Sequence, residues 1–169
     1  MDVGTLEAVG SRWRLTFVRR LDQSPATVWR AITEPDELAA WFPAIVEGDR
    51  VAGATLRFVF PRGDAPPSTG AVLAFDPPHV VELRWDADVL RFELRADGAG
   101  TELRFLFTFD ELGRAARDGG GWHACLDNLD AHLAGGQPDP AAWERYEWAY
   151  VAALGPAAST IPPPERATD

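Results

Sequence analysis

The chain has 169 residues and a formal net charge of −10, with 46% hydrophobic and 25% charged residues. These values are typical of one soluble globular domain that buries a sizeable core. The negative charge disfavours nucleic acid and anionic membranes as partners, because both are polyanions.

Residue usage excludes further classes of chemistry. All 16 basic residues are arginine, so lysine Schiff bases, pyridoxal-phosphate attachment and a Walker-A phosphate loop are ruled out. The single cysteine cannot form an internal disulfide. The start of the chain has neither the basic nor the apolar region of a signal peptide, and no apolar run approaches the length of a membrane span. We therefore expect a cytoplasmic protein without a cofactor.

The first predicted elements are a strand and two short helices. Residues Arg12–Arg20 alternate apolar and polar side chains, which predicts a half-buried strand. Two short amphipathic stretches follow, each with a proline in its first turn, and Ser24 and Thr33 are their predicted N-caps. The inward face of the strand carries Trp13, Leu15 and Phe17.

The stretch between residues 44 and 109 switches to a period of two and predicts about six further strands. Polar residues occupy the outward positions and the turns are short, which is typical of an antiparallel sheet with one solvated face. The inward positions are apolar and almost free of charge. Their aromatic members are Phe58, Phe60, Trp85, Phe92, Phe105 and Phe107.

A helical period resumes over Gly119–Leu133 and predicts one amphipathic helix. Its apolar stripe, which should face the sheet, consists of Trp122, Leu126, Leu129 and Leu133. Leu126 and Leu129 are therefore expected to be buried. Asp127 and Asp130 lie on the other side and are expected to be exposed to solvent.

The same helix contains two histidines and the only cysteine, which raises the question of a metal or catalytic site. His123 and Asp127 are four residues apart and form a solvated pair in this interpretation, because no third ligand is near; we expect no metal. Cys125 borders the apolar stripe and is interpreted as a small buried hydrophobe rather than a nucleophile. His132 lies at the rim, either satisfied by backbone or water or as a polar contact inside a cavity.

A second helix is predicted over Asp139–Leu154, with Asp139 as its cap, Pro140 at its first position and Gly155 as its stop signal. Its aromatic stripe must cover either the domain's own surface or a partner subunit, so both a monomer and a homodimer remain open. The stripe consists of Trp143, Tyr146, Tyr150 and Leu154. Residues 156–169 have the proline-rich composition of a disordered tail.

The order of these elements predicts an α+β fold. The runs "SPATVWRAITEPDELAAWF" and "GWHACLDNLDAHL" resemble the START-like helix-grip superfamily (SRPBCC), and within it the homologues of heat-shock chaperone ATPase activators, the AHSA type. The resemblance implies a curved antiparallel sheet of about seven strands around a long C-terminal helix, with two short helices after the first strand. Residues 1–134 would form this domain, with a linker and extra helix over 135–155 and the tail over 156–169.

The resemblance also implies a cavity between sheet and long helix, which members of the superfamily use for lipids, hormones or polyketides. The leading hypothesis is non-catalytic binding of a hydrophobic small molecule. The alternatives are an enzyme resembling polyketide cyclases or aromatases, and a co-chaperone or protein-interaction module. Arg19 shares the inward parity of the first strand and either passes the sheet edge or meets an anionic ligand group. The candidate cavity residues are the six inward aromatics above together with Trp122, Cys125, Leu129, His132 and Arg19.

Overall fold

The structure, a computed structural model, describes residues 2–63, 65–139 and 141–163. Its strands are β1 Thr5–Val9, β2 Arg12–Leu21, β3 Ile45–Glu47, β4 Thr55–Val59, β5 Ser68–Asp76, β6 Val80–Trp85, β7 Asp88–Asp97 and β8 Gly100–Phe109. Its helices are α1 Pro25–Thr33, α2 Pro35–Leu38, α3 Ala115–Leu133 and α4 Trp143–Leu154. Within the described ranges the strands form one antiparallel sheet in the order β1-β2-β8-β7-β6-β5-β4-β3. The α+β helix-grip prediction is confirmed, with eight strands where about seven were expected.

The additional strand is β1, which the sequence pattern does not predict. It pairs with β2 in antiparallel register, with Thr5 opposite Thr16 and Val9 opposite Arg12. β1 is the edge of the sheet and its side chains are exposed or only half-buried. An edge strand therefore needs little of the apolar alternation by which the other strands are recognised.

The inward face of the sheet and one face of α3 enclose an aromatic interior. The ring of Trp122 on α3 lies 4.9 Å from Phe105, 5.6 Å from Phe107 and 5.7 Å from Phe42, measured between ring centroids. Phe105 in turn stacks on Phe92 at 4.5 Å. These rings fill the space between sheet and helix, and their burial is the main apolar contribution to the stability of the fold.

The two short helices lie where they are predicted, but only the first cap is as expected. The Ser24 hydroxyl accepts the Thr27 N–H at 3.4 Å and so caps α1. Thr33 does not cap α2, because it is buried as the last residue of α1 and its hydroxyl donates to the Trp29 carbonyl at 2.7 Å. Glu34 takes the N-cap position of α2 without a side-chain hydrogen bond.

Helix α3 begins four residues earlier than predicted and places its apolar stripe on the sheet. Leu126 and Leu129 are almost completely buried, as expected, and Asp130 is exposed. The expected exposure of Asp127 is wrong, because α4 covers this part of α3. His123 is buried and Asp127 is half-buried, so these two residues are not a solvated pair.

Close contact between α3 and α4 is made possible by two glycines. A Cβ atom on Gly119 would lie 2.5 Å from the Tyr150 ring, and one on Gly120 would lie 3.3 Å from the backbone nitrogen of Glu147. Glycine in a helix interior costs about 1 kcal/mol relative to alanine. The absence of side chains at these positions lets the Tyr150 ring, which is fully buried, pack directly on the surface of α3.

The aromatic stripe of the last helix covers the chain's own α3. Helix α4 begins at Trp143, later than predicted. The Asp139 carboxylate accepts the Ala141 N–H at 2.9 Å. The predicted role of Pro140 lies outside the described residues. Gly155 ends the helix with a positive φ of 80°, as predicted.

The start of the predicted tail is ordered against the domain. Residues Pro156–Ala158 form a 3-10 turn, Ala158 is buried, and the Ile161 N–H donates to the Gly113 carbonyl at 2.9 Å. The expectation of disorder is therefore wrong for residues 156–163, because this segment finds backbone and apolar partners. For residues 164–169 the expectation lies outside the described part of the chain. No helix among the described residues is long and apolar enough to cross a membrane.

Replacing Gly119 with alanine tests the close approach of α4. The new methyl group would overlap the Tyr150 ring, so Gly119→Ala should lower the free energy of unfolding by about 1–3 kcal/mol, as overpacking does. The matched control is Gly121→Ala on the same helix, where nothing lies within 4 Å of the added Cβ. The control should raise stability by up to about 1 kcal/mol. Equal effects of both changes in urea denaturation would contradict the described packing.

Candidate ligand-binding site

A cleft of about 190 Å³ opens at one end of the aromatic interior. It lies where the loop after α2, the β6–β7 hairpin, β8 and the start of α3 meet. Its lining residues are Pro43, Trp85, Asp86, Asp88, Phe107, Arg114, Asp118 and Trp122. The cleft is therefore an opening from solvent onto the rings that fill the space between sheet and helix.

Three aromatic rings form the apolar part of the cleft. Trp85 ends β6 and is half-buried, with its ring stacked on Phe58 at 4.5 Å and its indole N–H donating to the Ser68 hydroxyl at 2.6 Å. Phe107 and Trp122 are buried, and each contributes to the floor. These contacts fix the rings in place, so the apolar surface of the cleft is preformed.

The β6–β7 hairpin brings two carboxylates to the cleft. Trp85 pairs with Asp88, which leaves a two-residue turn over Asp86 and Ala87. Asp86 has a φ of 50°, in the left-handed region that aspartate tolerates better than most residues. Asp88 has the same parity as the inward-facing Leu90, and it therefore points to the sheet face that carries the cleft.

Arg114 is held between carboxylates and aromatic rings. Its guanidinium bonds the Asp88 carboxylate, and its Nε lies 3.1 Å from Oδ2 of Asp118. The guanidinium carbon lies 5.7 Å from the centre of the Phe107 ring and 5.4 Å from that of Phe109. Asp118 is also bonded by Arg117 at 2.8 Å. Arg114 is thus a fixed part of the wall.

Burial raises the pKa of the Asp88 carboxyl above its ordinary value, although the bond and the charge of Arg114 act in the opposite direction. The negative charge of Asp118 also raises this pKa, and Arg12 lowers it. The ionised form of Asp88 is therefore less favourable here than in water, mainly because the carboxyl is desolvated. An additional positive group in the cleft would stabilise the ionised form.

The structure brings three of the sequence-predicted residues together at the cleft, namely Trp85, Phe107 and Trp122. Four others are buried in the aromatic or aliphatic interior: Phe58, Phe92, Phe105 and Leu129. Phe60 is half-buried beside Trp85, at 6.0 Å between ring centroids. The interior positions are occupied by the protein's own side chains, so the predicted cavity residues divide into a filled core and an open cleft.

Sequence reasoning missed the charged residues of the cleft, although two signals are present. Asp88 lies two residues before the buried Leu90, so it occupies an inward-facing position of β7. Arg114 and Asp118 precede Trp122 at intervals of four residues, and so they continue the sheet-facing stripe of α3 toward its N-terminus. Pro43 and Asp86 belong to loops, and the pattern of apolar residues carries no signal for them.

Arg19 belongs to a different place, a polar cluster between α3, α4 and β2. We define the α3–α4 polar cluster as Arg19, His123, Asp127, Tyr146 and Tyr150. Nη2 of Arg19 lies 3.6 Å from Oδ1 of Asp127, whose carboxylate also accepts the Tyr146 hydroxyl. Arg19 therefore meets an internal carboxylate rather than the cleft.

The same cluster explains the burial of His123. The Tyr150 hydroxyl accepts the Gly4 N–H at 2.7 Å, so its own proton is available to Nδ1 of His123, which lies 3.0 Å away. His123 also stacks against Tyr146, with 4.1 Å between ring centroids. Burial raises the pKa of Tyr150 to about 12, which keeps its hydroxyl protonated. The cluster thereby joins α4 and the N-terminal segment to α3.

The two remaining candidate residues also lie outside the cleft lining. Cys125 is half-buried against the core, and burial raises the pKa of its thiol to about 12, which disfavours the thiolate that nucleophilic chemistry needs. Nε2 of His132 lies 2.6 Å from Oε2 of Glu37, in a half-exposed pair that ties the end of α3 to α2. In the described part of the chain, no three His, Cys, Asp or Glu residues are placed to hold a metal.

The family of the chain is shown by its sequence. Residues 22–134 match the family described as "Activator of Hsp90 ATPase homolog 1-like protein", which is more than half of the chain. The chain therefore belongs to this family, and its helix-grip fold is that of the START-like type. β1, all of β2 and α4 lie outside the matched residues. The comparison with curated proteins gives no match.

Solved structures agree with this fold. A conserved protein of unknown function from Enterococcus faecalis, EF2215, has 23% identity and a TM-score of 0.75, over 89% of this chain and 90% of that one. CalU16 from Micromonospora echinospora has 21% identity and a TM-score of 0.70, over 90% and 96%. The Aha1 dimer from Colwellia psychrerythraea has 20% identity and a TM-score of 0.62, over 71% and 95%. At these identities the likeness shows the fold alone.

The burial of His123 predicts a pH dependence of stability. Burial lowers the pKa of His123, the charge of Arg19 lowers it further, and Asp127 opposes both. Tyr146 and Tyr150 face it from α4. Because the folded state keeps His123 neutral, its contribution is present above the ordinary pKa of about 6.5 and is lost as the pH falls below that value.

This dependence can be measured in unfolding experiments between pH 7 and pH 5. His123→Gln should flatten the loss of stability on acidification, by at most about 1.4 kcal/mol per pH unit for one proton. The matched control is His79→Gln, since His79 is exposed in the turn between β5 and β6. His79→Gln should retain the wild-type slope. An unchanged slope in His123→Gln would show that His123 is not buried in its neutral form.

Proposed function

We propose that this protein binds a small apolar molecule without transforming it, and that the cleft lined by Trp85, Phe107 and Trp122 is the binding site. The observation that carries the proposal is the preformed aromatic cleft of about 190 Å³. Sites for small molecules combine apolar walls with a few fixed polar groups, and Asp88, Arg114 and Asp118 provide such groups here. Residues 1–134 are the proposed binding domain, and within residues 135–155 the helix α4 packs on α3 on the face opposite the sheet.

The filled interior limits the size of the ligand. Phe58, Phe92 and Phe105 are fully buried and stacked in pairs with other rings, so a lipid would have to displace them. The cleft accommodates one ring system with a short substituent. Burying about 150 Å² of its apolar surface at about 25 cal/mol per Å² yields about 4 kcal/mol before the entropy of association is subtracted. The expected affinity is therefore millimolar or weaker unless a polar anchor contributes.

A protein-interaction role is the second candidate, and one observation favours it. Trp148 on α4 is 78% exposed, and exposed tryptophan is enriched at protein interfaces. The family description, with its reference to Hsp90, supports the same alternative. A chaperone ATPase assay with added protein separates the candidates, because a binding protein for small molecules leaves the ATPase rate unchanged. The enzyme alternative is weaker, because Asp88 and Asp118 each bond an arginine instead of a free proton-transfer partner.

A pair of tryptophan substitutions tests the position of the site. Trp85→Leu removes one aromatic wall of the cleft and should weaken the binding of indole by about threefold to tenfold, the value of one aromatic contact. Trp148→Leu makes the same change on α4, outside the cleft, and should leave the affinity at the wild-type value. Isothermal titration calorimetry with indole provides the affinities. Equal weakening in both variants, or binding that neither change affects, contradicts the assignment.

A further inference from the structure

The charges around the cleft define the class of ligand. We propose that the cleft selects a small organic cation, an amine or related base attached to one aromatic or aliphatic ring, over neutral and anionic molecules of the same shape. This inference rests on the proposed binding function and adds the chemistry of the ligand. It follows from three features of the described lining residues: the balance of charge, the internal contacts of Arg114, and the presence of two tryptophan rings.

The lining has more negative than positive groups. Asp86, Asp88 and Asp118 line the cleft, whereas Arg114 is the one lining cation in the described part of the chain. Arg117 compensates Asp118 from outside the lining, with a bond of 2.8 Å. Asp86 forms no ion pair with any described residue, although it sits directly in the turn beside Trp85. Arg84 and Arg12 donate to the backbone carbonyls of Asp86 and Ala87, at 2.9 Å and 2.5 Å, and neither bonds the Asp86 carboxylate. Among the described residues this carboxylate therefore remains available to a ligand at the mouth of the cleft.

Arg114 is already committed to internal partners, so an anion gains little from it. Its guanidinium bonds Asp88 and is positioned over the rings of Phe107 and Phe109. Its Nε lies 3.1 Å from Asp118 without a hydrogen bond, and this atom is buried, so a ligand does not reach it. A ligand carboxylate would have to compete with both aspartates for this cation, and it would face the charge of Asp86 as well. Like charges at this separation disfavour binding.

The aromatic walls suit a cation attached to an apolar body. Trp85 and Trp122 both line the cleft, and tryptophan has the ring face that attracts cations most strongly. The apolar part of the ligand would contact Phe107 and Trp122 at the floor, while its ammonium group would lie between Trp85 and Asp86 at the mouth. The chain's net charge of −10 favours the approach of such a ligand over long range.

Three probes with the same phenylethyl group and different end-group charge provide the experiment: 2-phenylethylamine, 2-phenylethanol and 3-phenylpropanoate. Calorimetric titration at low ionic strength should find the amine bound about threefold to tenfold more tightly than the alcohol, the range for an exposed carboxylate with a cation–π contact. The carboxylate should bind more weakly than both. Added salt should reduce the preference for the amine, because the Asp86 carboxylate is exposed to solvent.

Asp86→Asn is the decisive variant, because asparagine also tolerates the left-handed backbone of this turn and the hairpin is kept. The variant should bind the amine close to the affinity that the same variant shows for the alcohol. Asp130→Asn is the matched control, since it removes the same charge from the exposed face of α3 outside the cleft. Thermal unfolding of both variants verifies that each is folded.

The outcomes separate this inference from the proposed function. If the alcohol or the carboxylate binds as well as the amine, the inference is wrong and the binding function stands. If the amine is preferred but Asp86→Asn and Asp130→Asn reduce that preference equally, the preference arises from the overall negative charge of the protein, and the assigned position of the ammonium group is wrong. If none of the three probes binds, the proposed function fails together with the inference.

Discussion

The rest of the structure depends on the position of one ring, that of Trp122. It projects from α3 onto the inward face of the sheet, where its centroid lies within 6 Å of Phe42, Phe105 and Phe107. This contact joins the long helix, the segment after α2 and β8 into one packed interior. It also fills the space in which a helix-grip protein could hold a large ligand. We therefore assign the proposed binding to the cleft at the edge, where the same ring is one of the lining residues.

Much of the fold could be predicted because the alternation of apolar and polar residues along a strand indicates which side chains are buried. The inward residues of β7 and β8, such as Leu90 and Phe105, follow the period of two and are almost completely buried. The apolar stripe of α3, whose residues follow one another at intervals of 4, 3 and 4, predicts which face meets the sheet. The covered second face of α3 could not be predicted from this pattern, because its buried residue His123 is polar and its contacts with Tyr150 depend on where α4 docks. Gly119 and Gly120 were the available signal, since glycines inside a helix indicate a close neighbour.

The candidate site was predicted less completely than the fold. Trp85, Phe107 and Trp122 are recognisable as inward aromatics, but nothing in their spacing distinguishes the cleft from the filled interior. That distinction depends on where a loop, a hairpin and a helix start meet, which is a property of tertiary packing. Asp88 and Arg114 were missed for a second reason. A charged residue at the end of an apolar stripe is normally interpreted as the first residue beyond the buried face. In the structure they bond each other and form the polar wall.

The central claim is that a ligand contacts the edge of the aromatic interior rather than its centre or the surface of α4. The most direct measurement follows the indole N–H signals of the seven tryptophans by nuclear magnetic resonance while 2-phenylethylamine is added. The signals of Trp85 and Trp122 should shift together with one binding constant, and those of Trp29 and Trp148 should stay in place. Shifts centred on Trp148, or saturable binding that leaves Trp85 and Trp122 unchanged, would contradict the central claim.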